Sequence, residues 1–274
     1  MTIHQSAIIS PKADISSSAF IGPNVIVEEN TRIGNNVKIM ANAYICKNTT
    51  IDDDCVIHMG AVLGNTPQDL AFKDGETFVS IGKGNVIREY ATIHRGTKDG
   101  TSTIIGNNNF IMATAHVGHN CMIGNNTIIA NGALLAGYVT VEDFAFISGN
   151  VVIHQFCRIG KLSIIGGFSG VNKDVPPFMS VRGPSVVWSI NLVGLRRARI
   201  SKDSLYGIKD AYNIFYKSDL NTKQAIEKIR AGNPCEEVKY FVDFIEKSKR
   251  GVCKYRFGQD DSGYFNENGQ EDDE

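Results

Sequence analysis

No run of apolar residues in this chain is long enough to span a bilayer, which excludes a transmembrane helix. The first twenty residues, MTIHQSAIISPKADISSSAF, lack the basic segment and apolar stretch of a secretory signal. A cytoplasmic location without stable membrane insertion is therefore expected. The six cysteines, Cys46, Cys55, Cys121, Cys157, Cys235 and Cys253, form no CxxC pair. Scattered in this way they read as small apolar fillers, not a disulfide framework. Net charge is also nearly lacking, at −1, but this conceals an asymmetry. Residues 259–274 carry seven acidic side chains and no Lys or Arg, leaving residues 1–258 at +6. The tail, taken from residue 256, reads as acidic and disordered. The basic body suits an acidic or phosphorylated partner, and no nucleic-acid partner is expected.

What the chain does contain is a period of six. Stepping by six from Ile9 to Val171 visits 28 positions, of which 25 are Ile, Leu or Val. The position four later is mostly small, as at Ala13, Ala19, Ala43, Cys121 and Ala133. Gly often follows the branched residue, and Asn clusters follow the Gly, as in GNN at 34–36, 106–108 and 124–126. Six residues match neither a helical turn nor a long strand. They match a short strand plus a corner, with the branched and small residues inward and the corner turned by Gly or Asn. Three such hexads make one coil of about 18 residues, giving room for roughly nine coils. The fold class expected is mainly β: a left-handed parallel β-helix over residues 1–190.

The pattern fails at Asp69, Gly75 and Asp99. These lie in two stretches, near 64–78 and 96–103, and both keep the sixfold phase. They read as loops replacing coil sections, on a scaffold where binding residues tend to sit. After Pro176-Pro177 the spacing changes. Leu205, Ile208 and Tyr212, then Ala225, Ile226 and Ile229, then Val238, Phe241, Val242 and Ile245 recur at helical intervals. Ser201 and Asn221 are candidate N-caps. A small C-terminal α-helical domain over 191–255 is expected.

The coil period also stacks residues. Adding 18 to His119 gives Gly137, and a further 18 gives Gln155. The adjacent column holds Gly118, Ala136 and His154. His116, His119 and His154 all occupy outward positions, since Val117 and Cys121 point inward. His58 and His94, 36 apart, share another column and read as structural or solvated.

Seven strings carry a closer likeness: GNTPQDL (64–70), IREYATIHRGT (87–97), AHVGHNC (115–121), LAGYV (135–139), VIHQF (152–156), DVPPF (174–178) and NLVGLRRA (191–198). On these the chain, over roughly residues 1–255, resembles the UDP-N-acetylglucosamine acyltransferases, which open lipid A synthesis. The resemblance implies a homotrimer with sites between neighbouring prisms. It implies acyl carrier protein delivering an (R)-3-hydroxyacyl chain to a UDP-sugar, with no cofactor and no metal. It implies that His119 is the general base: a sugar hydroxyl is a poor nucleophile, and histidine titrates near neutrality. Gly137 would give its backbone N–H to the oxyanion. Gln68, Asp69, His116, His154 and Gln155 would contact substrate, and Asn191 and Arg197 would hold the nucleotide and its phosphates. Gly167 would gauge acyl length, leaving room for a long chain.

The departures from that pattern are Ala71, Tyr138, Val193, Ala198 and Asn120, the last standing where Asp is frequent. Most touch the acceptor side, which keeps open N-acylation of the 3-amino sugar analogue. A later N-acyltransferase of the same pathway usually carries a domain before its repeats, and a coenzyme A-dependent acetyltransferase needs no long-chain gauge. A β-helix zinc hydratase needs three histidines on one ion, which the offset of His154 from His116 and His119 opposes. A purely structural β-helix is the remaining alternative.

Overall fold

The computed structural model describes residues 2–255, so the acidic tail lies outside the described residues. Short parallel strands, mostly of two residues, stack into three sheets of twelve, nine and eight strands. Most strands end in the branched residue of the hexad. That residue points into the prism, and from Ile33 to Ile165 nearly every one is fully buried. The small residue is the second inward position, as at Ala43, Ala91, Ala115, Cys121 and Ala133, all at most 1% exposed. One inward column departs from smallness. Asn85 and Asn109 are buried, and the Asn85 side chain accepts from the Asn109 N–H at 2.8 Å and donates to Gly82 and Gly106 carbonyls at 2.7 Å. Asn109 in turn accepts from the Thr127 N–H and hydroxyl at 2.8 Å. The column thereby satisfies buried backbone groups that an apolar residue would strand.

The corners are turned largely by Asn and Gly, the latter at Gly60, Gly84 and Gly132. The left-handed residue comes three after the branched one, and it is commonly Asn: Asn24, Asn30, Asn36, Asn42, Asn108, Asn120 and Asn126 all lie near φ +55 to +61. The Gly directly after the branched residue has another task. A Cβ at Gly34 or Gly106 would press on the coil above, at Asp53 or Gly124, so these glycines permit stacking instead of turning the chain. Several corners place bulky residues at positive φ, among them Tyr138, Phe144, Phe156 and Phe168. Such residues resist that conformation by about 1–3 kcal/mol each.

The loops are inserted into coils and do not replace them. Ordinary steps are 18 residues, as from Ile9 to Val27. The step from Leu63 to Ile93 is 30, and from Ile93 to Val117 it is 24. The extra 12 and 6 residues leave the prism and return in phase. The nine-stranded sheet therefore makes eight steps from Ile9 to Val171, not nine. Gly64, at φ +84, lies where the register shifts as the first loop departs, and a Cβ there would strike the Thr49 hydroxyl.

Beyond the last coil an antiparallel hairpin, Met179–Arg182 with Val186–Ile190, closes the prism. Four helices follow: α1 Leu192–Arg197, α2 Lys202–Tyr216, α3 Thr222–Ala231 and α4 Glu236–Glu246. Ser201 caps α2, and Asn221 makes a reciprocal capping box with Gln224 on α3. The apolar stripes expected from spacing bury Ile208, Tyr212, Ala225, Ile226, Ile229, Val238, Phe241, Val242 and Ile245. The helices are tied to the prism by polar anchors. Arg158 lies over the Phe244 ring at 3.9 Å, and buried Asp174 accepts from Ser248 at 2.7 Å. Lys254–Tyr255 then returns as a strand beside Val186–Val187. Among the described residues no helix is long and apolar enough to cross a membrane.

Candidate active site

The nine-stranded sheet builds the site. Thr92, His116, Leu134 and Val152 stand in register on its outer surface. His116 Nδ1 lies 2.7 Å from the Thr92 hydroxyl. Beyond the end of the His116 strand the chain turns a corner through His119 and Asn120. One coil on, the corner passes through Gly137 and Tyr138, and a coil further through Gln155 and Phe156. Backbone bonds lock this stack: the Tyr138 N–H donates to the His119 carbonyl at 2.9 Å, and the Phe156 N–H to the Gly137 carbonyl at 3.1 Å.

Gly137 is packed directly on the His119 ring. A Cβ there would fall inside the imidazole of His119. Among the described residues the Gly137 N–H has no acceptor. On another corner the equivalent N–H groups of Asn107 and Asn125 donate to side chains one coil on, Asn125 and Asp143, at 2.7–2.8 Å. The Gly137 N–H shares that backbone position, so it too faces outward, toward the level of Gln155. A histidine ring and an open donor thus share one face.

His119 Nδ1 lies 3.1 Å from Asn120 Oδ1. Its ring meets Tyr138 edge to face at 5.3 Å, and Tyr138 stacks on Phe156 at 4.9 Å. His154 is exposed and turns its Nδ1 to the Gln155 carbonyl at 3.1 Å. Cys121, two residues after His119, faces the core and donates to the Ala136 carbonyl at 3.2 Å. Burial pushes its thiol up to about 12, which keeps it protonated and inert.

His94 belongs to this cluster, contrary to the column assigned from a uniform period. Its ring meets His116 edge to face at 4.7 Å. The inserted residues explain the difference: His58 steps to Arg88, while His94 follows the strand directly below His116. His94 is 4% exposed, with Nδ1 lacking a hydrogen-bond partner. Burial pushes it down to about 4, aided by His116 and His119. Burial, then His119, also lowers His116. Both rings are consequently neutral near pH 7. Among the described residues no three His, Cys, Asp or Glu side chains converge as a metal-ligand set.

The remaining positions are dispersed. Gln68 and Asp69 lie on the first loop, two steps below His116, with Gln68 exposed and Asp69 accepting from the Ala71 N–H at 2.9 Å. The two loops dock on each other through Asp99, which accepts from the Glu76 N–H at 2.7 Å. Gly167 sits on the corner between the twelve- and nine-stranded sheets, away from His119 within one chain. Asn191 caps α1 by accepting from Gly194 and donates to the Leu162 carbonyl at 2.8 Å. Arg197 ends α1, exposed beside Arg196 and Arg199. Thr97 is a further residue that the spacing did not single out. Its N–H and hydroxyl both donate to Asn120 Oδ1, at 3.0 and 2.9 Å. Counting each loop as added length would have revealed it and His94.

A prism of hexads with a histidine beside an open backbone donor, one coil apart on a corner, is the construction of a hexapeptide-repeat acyltransferase. The model described as "Bacterial transferase hexapeptide (six repeats)" matches residues 30–65 and 102–137. That described as "Udp N-acetylglucosamine O-acyltransferase; Domain 2" matches residues 174–253. The acyl-[acyl-carrier-protein]–UDP-N-acetylglucosamine O-acyltransferase of Thermodesulfovibrio yellowstonii is 46% identical over 255 residues, covering 92% of this chain and 99% of its own. The Bacteroides fragilis UDP-N-acetylglucosamine acyltransferase structure superposes with a TM-score of 0.87 at 42% identity, covering 92% of this chain and 99% of its own. The Francisella novicida enzyme gives 0.88 at 37% identity, covering 93% and 94%. The chain belongs to the UDP-N-acetylglucosamine O-acyltransferase family.

Proposed function

We propose that this enzyme transfers an (R)-3-hydroxyacyl chain from acyl carrier protein to the 3-hydroxyl of UDP-N-acetylglucosamine. The observation that carries the reading is the contact between His119 and Gly137, a ring and an open N–H on one face. His119 takes the hydroxyl proton as the oxygen attacks the thioester carbonyl. The Gly137 N–H receives the oxyanion of the tetrahedral intermediate. Collapse breaks the C–S bond, and the imidazolium returns its proton to the departing thiolate. Neutral His116 contacts substrate without adding charge next to the base. His154 and Gln155, above it, suit the acceptor, as do Gln68 and Asp69 from the loop below.

The exposed Arg196, Arg197 and Arg199 suit the acceptor's phosphates and an acidic carrier. The distance of Gly167 from His119 within one prism favours a homotrimer, in which the Gly167 corner of one copy faces the His119 corner of its neighbour. Leu134 and Val152, 44% and 51% exposed near the site, favour a covering copy. The relatives, named O-acyltransferases, favour ester over amide formation.

The test offers purified enzyme the 3-hydroxyl and 3-amino UDP-sugars with a series of 3-hydroxyacyl carrier proteins. Transfer to the hydroxyl sugar, lost in His119→Ala, is expected. Transfer to neither acceptor overturns the reading, and preference for the amine replaces the ester with an amide.

A further inference from the structure

We propose that Thr97, on the second loop, is a positioning residue that fixes the tautomer of His119 through Asn120. The Thr97 backbone N–H can only donate, and it points at the Asn120 amide at 3.0 Å. The amide atom facing it must therefore be oxygen, which fixes the amide's orientation. That same oxygen lies 3.1 Å from His119 Nδ1. A carbonyl oxygen cannot donate, so Nδ1 carries the proton and Nε2 carries the lone pair. Free histidine favours the opposite tautomer. The loop thus selects the form whose outer nitrogen is basic.

The hydroxyl of Thr97 strengthens the lock. It donates to the same oxygen at 2.9 Å and lies 3.0 Å from the Tyr138 hydroxyl. With Thr97 donating to Asn120, Tyr138 donates to Thr97, so the chain runs in one direction from Tyr138 to the amide. Asn120 is itself held, its N–H donating to Thr103 at 2.8 Å and its φ at +58. Three coils' worth of chain thereby converge on one imidazole nitrogen. Asn120 gives orientation without charge, unlike a carboxylate at this position.

The inference rests on His119 as the base, and its test separates the two. Histidine-selective 15N labelling of the full chain reads the tautomer without substrate, with His119→Gln identifying the signal. His119 in the wild type and in Thr97→Ser is expected in the Nδ1–H form. Asn120→Gly removes the accepting oxygen and is expected to give a tautomer mixture; glycine accepts the positive φ without strain. Thr97→Val keeps the backbone N–H that orients the Asn120 oxygen and is expected to keep the Nδ1–H form, losing only the hold of the hydroxyl. In Thr97→Val, kcat is expected to fall about 3–10-fold with KM unchanged, as loss of one neutral hydrogen bond implies, and Thr97→Ser to restore it. Asn120→Asp is expected to stay active, with the acid limb of its pH–rate profile displaced to higher pH by the added carboxylate. An Nε2–H His119 in the wild type overturns the proposal. So does an unchanged tautomer in Asn120→Gly, or an unchanged kcat in Thr97→Val. Full activity in His119→Ala would instead remove the base and leave the tautomer result standing.

Discussion

Gly137 stands one coil above His119, at a distance that leaves no room for even a methyl group between them. The pair is set by the 18-residue step, because the backbone bond from Tyr138 to the His119 carbonyl fixes one corner on the next. Both residues are therefore held by the same ladder that holds the prism together.

Adding the missing methyl should displace the ring while leaving the fold intact, since Gly137 is outside the left-handed region. Gly137→Ala is expected to lower kcat on the order of 100-fold, the effect of misplacing a catalytic group by about an ångström. Its melting temperature is expected to remain close to that of the parent. Steady-state kinetics alongside thermal denaturation checks both.

His94 makes stability pH-dependent. Its folded value, about 4, lies below the ordinary histidine value near 6.5. Between those limits the unfolded chain binds the proton that the folded chain refuses. The stabilisation is complete above the upper limit and is lost as pH falls toward the lower. His94→Phe keeps a ring against His116 and is expected to flatten this slope. Urea midpoints measured across the window, with and without the substitution, provide the comparison.

Asn191 serves the fold whatever it does for a nucleotide. Asn191→Ala removes the α1 cap and the bond to Leu162, and is expected to cost about 1–2 kcal/mol. Urea denaturation measures the loss. An accompanying rise in KM for the UDP-sugar, with kcat retained, would assign a binding role as well.

Gly167 has space above it: a Cβ would reach only the Gly149 carbonyl, at an ordinary 3.4 Å. Gly167→Met is therefore expected to fold and to occupy room left for the acyl tail. The preferred donor should shorten, with transfer from short-chain carrier proteins maintained. A chain-length series on parent and variant reads the shift.

Much of this architecture was legible in one dimension. A six-residue period is a strictly local instruction, and once it closes into triangular coils it also dictates which residues stack. Gly137 over His119 follows from that arithmetic because no loop intervenes between 117 and 171. The inward Asn85 and Asn109, which continue the column of Thr127, were not legible because they depart from the small residues the period favours. Their polar atoms are useful only beside the carbonyls and N–H groups of adjacent coils.

His94 and Thr97 escaped for a different reason. Insertions of 12 and 6 residues break the hexad but preserve its phase, so the periodicity marks the loops without saying whether they replace coil sections or lengthen the coil. Only the folded ladder shows that the chain leaves and re-enters one step higher, bringing His94 under His116 and Thr97 onto Asn120. The sequence by itself determined the prism, its inward residues and the stacking of Gly137 on His119, since each depends on short-range spacing. The tertiary structure alone decided which histidines are neutral and which way the Asn120 amide faces. Burial and amide orientation arise from contacts between coils, and no local pattern encodes them.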